Sequence, residues 1–347
     1  MQNTSTDEAL ARLLSAGRAR AALAGPEHVT LWDSLRSATE GGRRFRPYLL
    51  MSTHDALGGH QAAAAAEVGA ALELLHTAFV IHDDLIDGDV VRRGRPNVNG
   101  MFAQKALSLH QNSEDADHYG RTAAILAGDL ALTTAVRAVA LCGAPAPVVR
   151  QLLDLFDAGL HISAAGELAD VRLSLQHGQA SLEESLLMEA QKTGAYSFSL
   201  PLQAGALLAG ADEHTVERLG QAGLLIGIAY QLKDDLIGVF GDPTLSGKSA
   251  TGDLRANKQT PLIVHARSTP LWPDLSCYMG RELDGDELQR ARDLLMASGS
   301  RSFVEHLFGE HVRDARSLLD EVGLATDMFA EVLGPPDALT DGPGVAA

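Results

Sequence analysis

Cysteine is close to absent from the 347 residues: Cys142 and Cys277 are the only two, too few for a disulfide framework or a cysteine-rich zinc site. Aromatic residues amount to 5%, whereas alanine and leucine abound, a balance that favours helices over a β-sandwich. Strand signals are scarce too, with no regular two-residue alternation and no Asn-Gly or Asp-Gly hairpin between β-branched runs. Positive charge is in short supply: 28 basic residues stand against 45 acidic ones, a formal net charge of -17. That excess speaks against a nucleic-acid or anionic-membrane surface. Neither a Walker P-loop nor a dinucleotide glycine fingerprint occurs, so no nucleotide is implied. The opening MQNTSTDEALARLL has neither the basic start nor the apolar core of a signal peptide. The most apolar stretch, residues 61–82, contains Glu67 and Glu73, so no membrane span is expected. These absences lead to the expectation of a soluble, reduced, cytoplasmic protein.

What the chain does have is helical periodicity. Leu10, Leu13 and Leu14 show three-and-four spacing, as do Leu152, Leu153, Leu155 and Phe156, and Leu224, Leu225, Ile228 and Leu232. Two segments, residues 62–86 and 222–240, are apolar nearly all round, as the central helices of a bundle are. Both end in an acidic cluster and share the tetrapeptide Asp-Asp-Leu-Ile. Residues 110–120 and 241–260 read as loops, the second, at that length, either disordered or a working lid. No repeat or linker divides the chain, which predicts one all-α domain over residues 1–333 and a flexible tail over 334–347. A hydrophobic share of 46% is ample for its core.

Asp83, Asp84 and Asp87 form a D-D-x-x-D motif. One helical turn brings Asp83 and Asp87 to the same face, with Asp84 a little aside. Like charges repel at that spacing, so the motif is either a solvated acidic face or a cation site. Its place on a core-like helix favours the cation. Asp234 and Asp235 form a second cluster, with Gly238 where a third carboxylate would stand and Asp242 a turn further on. Two acid-tipped apolar helices facing each other across a cavity could hold a divalent metal, and all-oxygen ligands point to Mg²⁺. A di-iron bundle competes poorly, because only Glu73-x-x-His76 supplies its motif at a core-like position.

Two arginine patches stand out in so acidic a chain: Arg43, Arg44 and Arg46 within GGRRFRP, and Arg92, Arg93 and Arg95 within RRGRP, five residues after Asp87. Guanidinium forks suit phosphate oxygens, and glycines let the backbone approach. Ion pairing with neighbouring acids is the plainer alternative, but metal carboxylates followed by arginines fit a diphosphate better. Lys192 beside Thr193, and Lys248 and Lys258, are further candidate donors.

With these blocks in hand, the chain resembles the trans-polyprenyl diphosphate synthase family, that of the farnesyl and geranylgeranyl diphosphate synthases. The resemblance runs from about residue 35 to residue 310. It rests on GGRRFRP, ELLHTAFVIHDDLIDGDVVRRGRP, AGDLAL, QKTGA, QLKDDLIGVFGD and GKSATGDLRANKQTP. It implies the all-α isoprenoid synthase helical bundle around a deep central cavity, usually a homodimer, with the aspartate motifs on opposing helices. The implied reaction is Mg²⁺-dependent prenyl transfer: isopentenyl diphosphate condenses with an allylic diphosphate (dimethylallyl, geranyl or farnesyl) and inorganic diphosphate leaves.

By position, the resemblance assigns two Mg²⁺ to Asp83 and Asp87, with Asp84 nearby, and a third to Asp234 supported by Asp235. Arg92, Lys192, Lys248 and Lys258 contact the allylic diphosphate. Arg43, Arg46, His76 and Arg93 bind isopentenyl diphosphate, and Thr193 and Gln231 line the reacting carbon. Two departures exist: Arg43 stands where lysine is usual, and Gly238 replaces the last aspartate of the second motif. His82 is assigned to packing or to support of the aspartates. Small Ala78 followed by bulky Phe79, just before Asp83, implies a geranylgeranyl product. A farnesyl or longer (C25) synthase and a class I terpene cyclase are the alternatives.

Overall fold

The computed structural model describes residues 4–175, 180–241, 252–330 and 334. Asp242 and Lys248, with the rest of residues 242–251, and nearly all of the tail lie outside the described residues; within the expected 241–260 loop, Gly252–Arg255 is helical. The helices are α1 (Thr4–Ala24), α2 (Pro26–Ala38), α3 (Phe45–Ala56), α4 (Ala62–Ile86), α5 (Val98–Ser108), α6 (Ser113–Ala140), α7 (Ala146–Leu175) and α8 (Leu182–Glu189). A π-helix, Ala190–Ser199, then leads into α9 (Leu200–Ala209) and α10 (Glu213–Phe240). After these come α11 (Gly252–Arg255), α12 (Pro261–Arg267), α13 (Trp272–Ser276), α14 (Gly285–Ala297) and α15 (Ser300–Glu321). The chain packs as two compact units, Met1–Phe156 with Gln203–Asp212, and Asp157–Leu202 with Glu213–Ala347.

In the first unit α4 is the core, as its all-round apolar pattern requires; it packs on α6, α3 and α1. Its contact with α6 is close because α6 offers small residues, among them Ala124, Ala127, Gly128, Ala131 and Ala135, all buried. At Gly128 a Cβ would lie 2.0 Å from His82 Nε2, so the imidazole fills that space. This is the packing role expected of His82. Both α4 and α6 are long and apolar enough to cross a membrane, yet 78% and 50% of their apolar windows are buried within the molecule. Alanine-lined seams account for the apolarity of α4 and of the buried half of the α6 window.

The expected loop at 110–120 is helical from Ser113 onward. Asn112 caps α6 by accepting a hydrogen bond from Asp115 N, and Glu114 and Asp115 complement the helix dipole. A polar first turn therefore resembled a loop. One feature the sequence hid is a small antiparallel hairpin, β1 (Val91–Arg92) and β2 (Arg95–Pro96), with Arg92 opposite Arg95. Its two turn residues, Arg93 and Gly94, both have positive φ, 53° and 72°, as in a type I′ turn.

In the second unit α10 is central, packed on α15 and the π-helix. Glycines make the second contact possible: a Cβ at Gly227 would fall 2.3 Å from Gly194 Cα, and one at Gly223 would fall 2.4 Å from Ser199 Cα. The C-terminal end of α10, which carries the second acidic cluster, is tied by Arg292, donating to Val239 O at 2.6 Å and Gly241 O at 3.1 Å. A guanidinium there satisfies helix carbonyls that have no partner within the helix.

Candidate active site

The second arginine patch and the end of α4 meet in a cavity of about 310 Å³ in the first unit, lined by Gly41, Gly42, Arg44, Glu73, His76, Asp84, Arg92 and Arg93 above apolar Val80, Ile81, Val98 and Met101. Of the residues expected on isopentenyl diphosphate, the structure brings His76 and Arg93 to this cavity. Arg46 is buried at the start of α3, and Arg43 is exposed on the adjoining turn. Burial and the charges of Arg46, Arg92, Arg93 and Arg44 hold the His76 imidazole well below its ordinary range, so it is neutral at physiological pH.

Arg92 donates to Asp84 Oδ1 at 2.6 Å. Asp84 is 3% exposed; burial raises its carboxyl, an effect that Arg92 opposes. Asp84 thus turns towards the arginines. Asp83 is half-buried, and Asp87 is exposed at the end of α4, its N–H donating to Asp83 O at 2.9 Å. On the preceding turns Ala78 is fully buried and Phe79 half-buried.

The second unit holds Lys192, Thr193, Gln231, Asp234, Asp235 and Lys258. Thr193 Oγ1 donates to Gln231 Oε1 at 3.3 Å, and Gln231 Nε2 donates to Asp235 Oδ1 at 3.1 Å. Lys192 Nζ bonds Asp170 Oδ2 at 2.7 Å and Glu167 Oε2 at 2.9 Å. The π-helix orients Lys192 and Thr193, and such segments are often found at functional sites. Lys258 follows Asn257, which has a φ of 54°. The neighbouring Gln259 is anchored by Ser185 Oγ, which donates to its carbonyl at 2.6 Å. A Cβ at Gly238 would lie 2.9 Å from Asp253 Oδ2, so another carboxylate stands where the missing aspartate would begin.

Three acids here escaped the sequence reading: Glu167, Asp170 and Glu189. The first two sit three apart on α7, a spacing that shares a helix face. Glu189 is three residues before Lys192, a signal too weak to find alone. It is 2% exposed, and neither of its carboxylate oxygens, nor Asp235 Oδ2, has a hydrogen-bond partner. Unpartnered buried carboxylates call for a proton or a cation. As hard oxygen donors the acids fit Mg²⁺. Among the described residues no three or more His, Cys, Asp or Glu are grouped to hold an ion by themselves. Mg²⁺ characteristically keeps water and phosphate oxygens in its shell beside one or two carboxylates.

Asp235 is pushed up to about 8, first by burial and then by the charge of Asp253. Burial and then Asp235 push Glu189 well above the carboxylate range. In metal-free protein both acids hold protons at neutral pH, which the unfolded chain releases near about pH 4. Their contribution to stability is therefore present at low pH and is lost as pH rises towards 8. In EDTA the melting temperature should fall between about pH 6 and about pH 8.5 more steeply than in Asp235→Asn. Equal slopes would assign the effect to other groups.

A family model described as polyprenyl synthetase matches residues 30–274. The chain is 32% identical over 294 residues to geranylfarnesyl diphosphate synthase of Aeropyrum pernix, covering 83% of this chain and 86% of that protein. It is 31% identical over 309 residues to geranylgeranyl diphosphate synthase of Mycobacterium tuberculosis, covering 87% and 82%. The crystal structure of geranylgeranyl pyrophosphate synthase from Corynebacterium glutamicum, complexed with isoprenyl diphosphate and magnesium, matches with a TM-score of 0.86 at 28% identity over 97% of each chain. The all-α isoprenoid synthase fold is thus shared. The chain belongs to the polyprenyl synthetase family and is a prenyltransferase.

Proposed function

We propose that this enzyme joins isopentenyl diphosphate head-to-tail to an allylic diphosphate, with geranylgeranyl diphosphate as the product. The observation that carries the reading is the cavity in which neutral His76 sits among arginines, with Asp84 of the D-D-x-x-D motif in its wall. It is a site built for a phosphorylated anion.

In the reaction the allylic carbon–oxygen bond breaks and its electron pair leaves with diphosphate. The double bond of isopentenyl diphosphate attacks the cationic carbon, and the released diphosphate takes the proton lost from the adduct. Mg²⁺, three ions by the family pattern, would be held by Asp83, Asp87 and Asp234, with Asp235 in support, and would neutralise the charge developing on the leaving diphosphate. Arg92 adds fixed positive charge, preorganised by its carboxylate partner Asp84; the family motif assigns Lys192 to the allylic diphosphate, and Glu167 and Asp170 fix its position. Neutral His76 can donate a hydrogen bond to the second diphosphate without adding charge. Thr193 and Gln231 offer oxygen atoms to the cationic carbon.

Chromatography of products from each allylic primer, with and without isopentenyl diphosphate, tests the reading. A prenyl diphosphate made only when isopentenyl diphosphate is present supports it; hydrocarbon made without it would establish a cyclase. For product length, one helical turn rises about 5.4 Å, near the reach of one isoprene unit, so the residues before Asp83 can measure the chain. Ala78→Phe is expected to shorten the product to farnesyl length, and an unchanged product would place the floor elsewhere. We further assign the enzyme to the cytoplasm and to a homodimer. The exposed Ile125, Leu126 and Val136 of α6 support an apolar contact face.

A further inference from the structure

We propose that Arg44, although it lies inside the arginine motif, is a positioning residue and not an anion ligand: clamped by Glu73 and Asp7, it holds the turn that presents Arg43 and Arg46. The inference rests on the reading of the cavity as a diphosphate site. Arg44 Nε donates to Asp7 Oδ1 at 2.9 Å, and Nη1 donates to Glu73 Oε2 and to Thr39 O, both at 2.7 Å. Its charge is therefore matched by two carboxylates before any ligand arrives. The Glu73 side chain is only 6% exposed, so this pair is shielded from solvent and from salt.

The geometry is that of a clamp. Asp7 comes from the first turn of α1, Thr39 caps α2, and Glu73 lies on α4 one turn before His76. Arg44 is itself the residue before α3, with a left-handed backbone of φ 55° and ψ 36°. That conformation is disfavoured for a residue with a Cβ, and the three hydrogen bonds hold it. Through this one side chain four helices fix the turn from Gly41 to Arg46. Arg43 stands exposed before the bend, and Arg46 is buried after it, close enough for its charge to depress His76.

Glu73 gives the idea a test of sign. It is an acid in the wall of an anion-binding cavity. If Arg44 were a ligand merely screened by Glu73, then Glu73→Gln would free it and tighten anion binding. If Arg44 is a clamp, the same change loosens the turn and weakens binding, although a negative charge has been removed.

Binding of inorganic diphosphate in EDTA, measured by calorimetry on the full chain, reads this directly. Glu73→Gln and Arg44→Gln should each weaken it about tenfold. The KM for isopentenyl diphosphate should rise in parallel, while the KM for the allylic substrate stays within about twofold. Arg44→Lys, which keeps the charge and loses the fork, should resemble Arg44→Gln. Exposed Arg36→Gln should match the wild type. Asp7→Asn, at a more exposed partner, should weaken binding in the same direction even if Glu73→Gln proves too unstable to assay. Equal or tighter diphosphate binding by Glu73→Gln or, failing that, by Asp7→Asn would overturn the clamp. Wild-type protein that makes no prenyl diphosphate, while these variants still lose diphosphate binding, would overturn the reaction and leave the clamp standing. Wild-type protein that binds no diphosphate would overturn both.

Discussion

Asp83→Ala is expected to lower kcat on the order of 10³-fold while leaving the helical content unchanged. Asp83 is half-buried near the end of α4 and is one of the proposed Mg²⁺ ligands. Asp84 is engaged by Arg92 at 2.6 Å, and Asp87 is exposed at the helix terminus. Removing one carboxylate forfeits several kcal/mol of stabilisation of the leaving diphosphate, and each 1.36 kcal/mol is tenfold in rate. Folding should not suffer, because deleting an acid at the C-terminal end of a helix relieves an unfavourable interaction with the dipole. Turnover assays in Mg²⁺, read beside far-ultraviolet circular dichroism, decide the matter. Activity within tenfold of wild type would remove Asp83 from the metal site.

The second large effect is expected from a residue that touches no substrate. Gly227 on α10 meets Gly194 so closely that a methyl group would fall 2.3 Å from Gly194 Cα. Gly227→Ala must therefore push the π-helix away from α10, and Thr193 and Lys192 move with it. Overpacking of this kind costs about 1–3 kcal/mol, roughly 2–12 °C in melting temperature for a unit of this size. A shift near 1 Å at a positioning residue can cost on the order of 10²-fold in rate. Gly309→Ala on α15 is the control, since a Cβ there meets only Arg313 Nη1, at 3.4 Å, and alanine is the better helix former. Wild-type melting and turnover in Gly227→Ala would show that the two helices separate without disturbing Thr193.

Much of this molecule was legible in one dimension. Residues 62–86 read as a core helix, and α4 spans Ala62–Ile86; residues 222–240 form the latter part of α10. Helix periodicity is a local property, so spacing alone reveals which face is apolar and where it ends. The same holds for the D-D-x-x-D motif, whose outer members share a helix face wherever the helix goes. Thr193 and Gln231, which the family motifs assign to one role, are hydrogen-bonded neighbours.

Other features had no local cause. Arg43, Arg44 and Arg46 look equivalent in GGRRFRP, and only the fold separates them, because Glu73 reaches Arg44 from 29 residues along the chain. Glu189 was invisible as a site residue until folding buried it, and Gly238 looked like a simple loss, but the fold sets Asp253 against it. The amino-acid sequence determined the helices, the acidic and basic inventory and the family, since these follow from short-range spacing and composition. Tertiary structure decided which charges are cancelled and which are left to act. Ion pairing depends on the approach of distant segments, and glycines and alanines in the helix seams set how near they come.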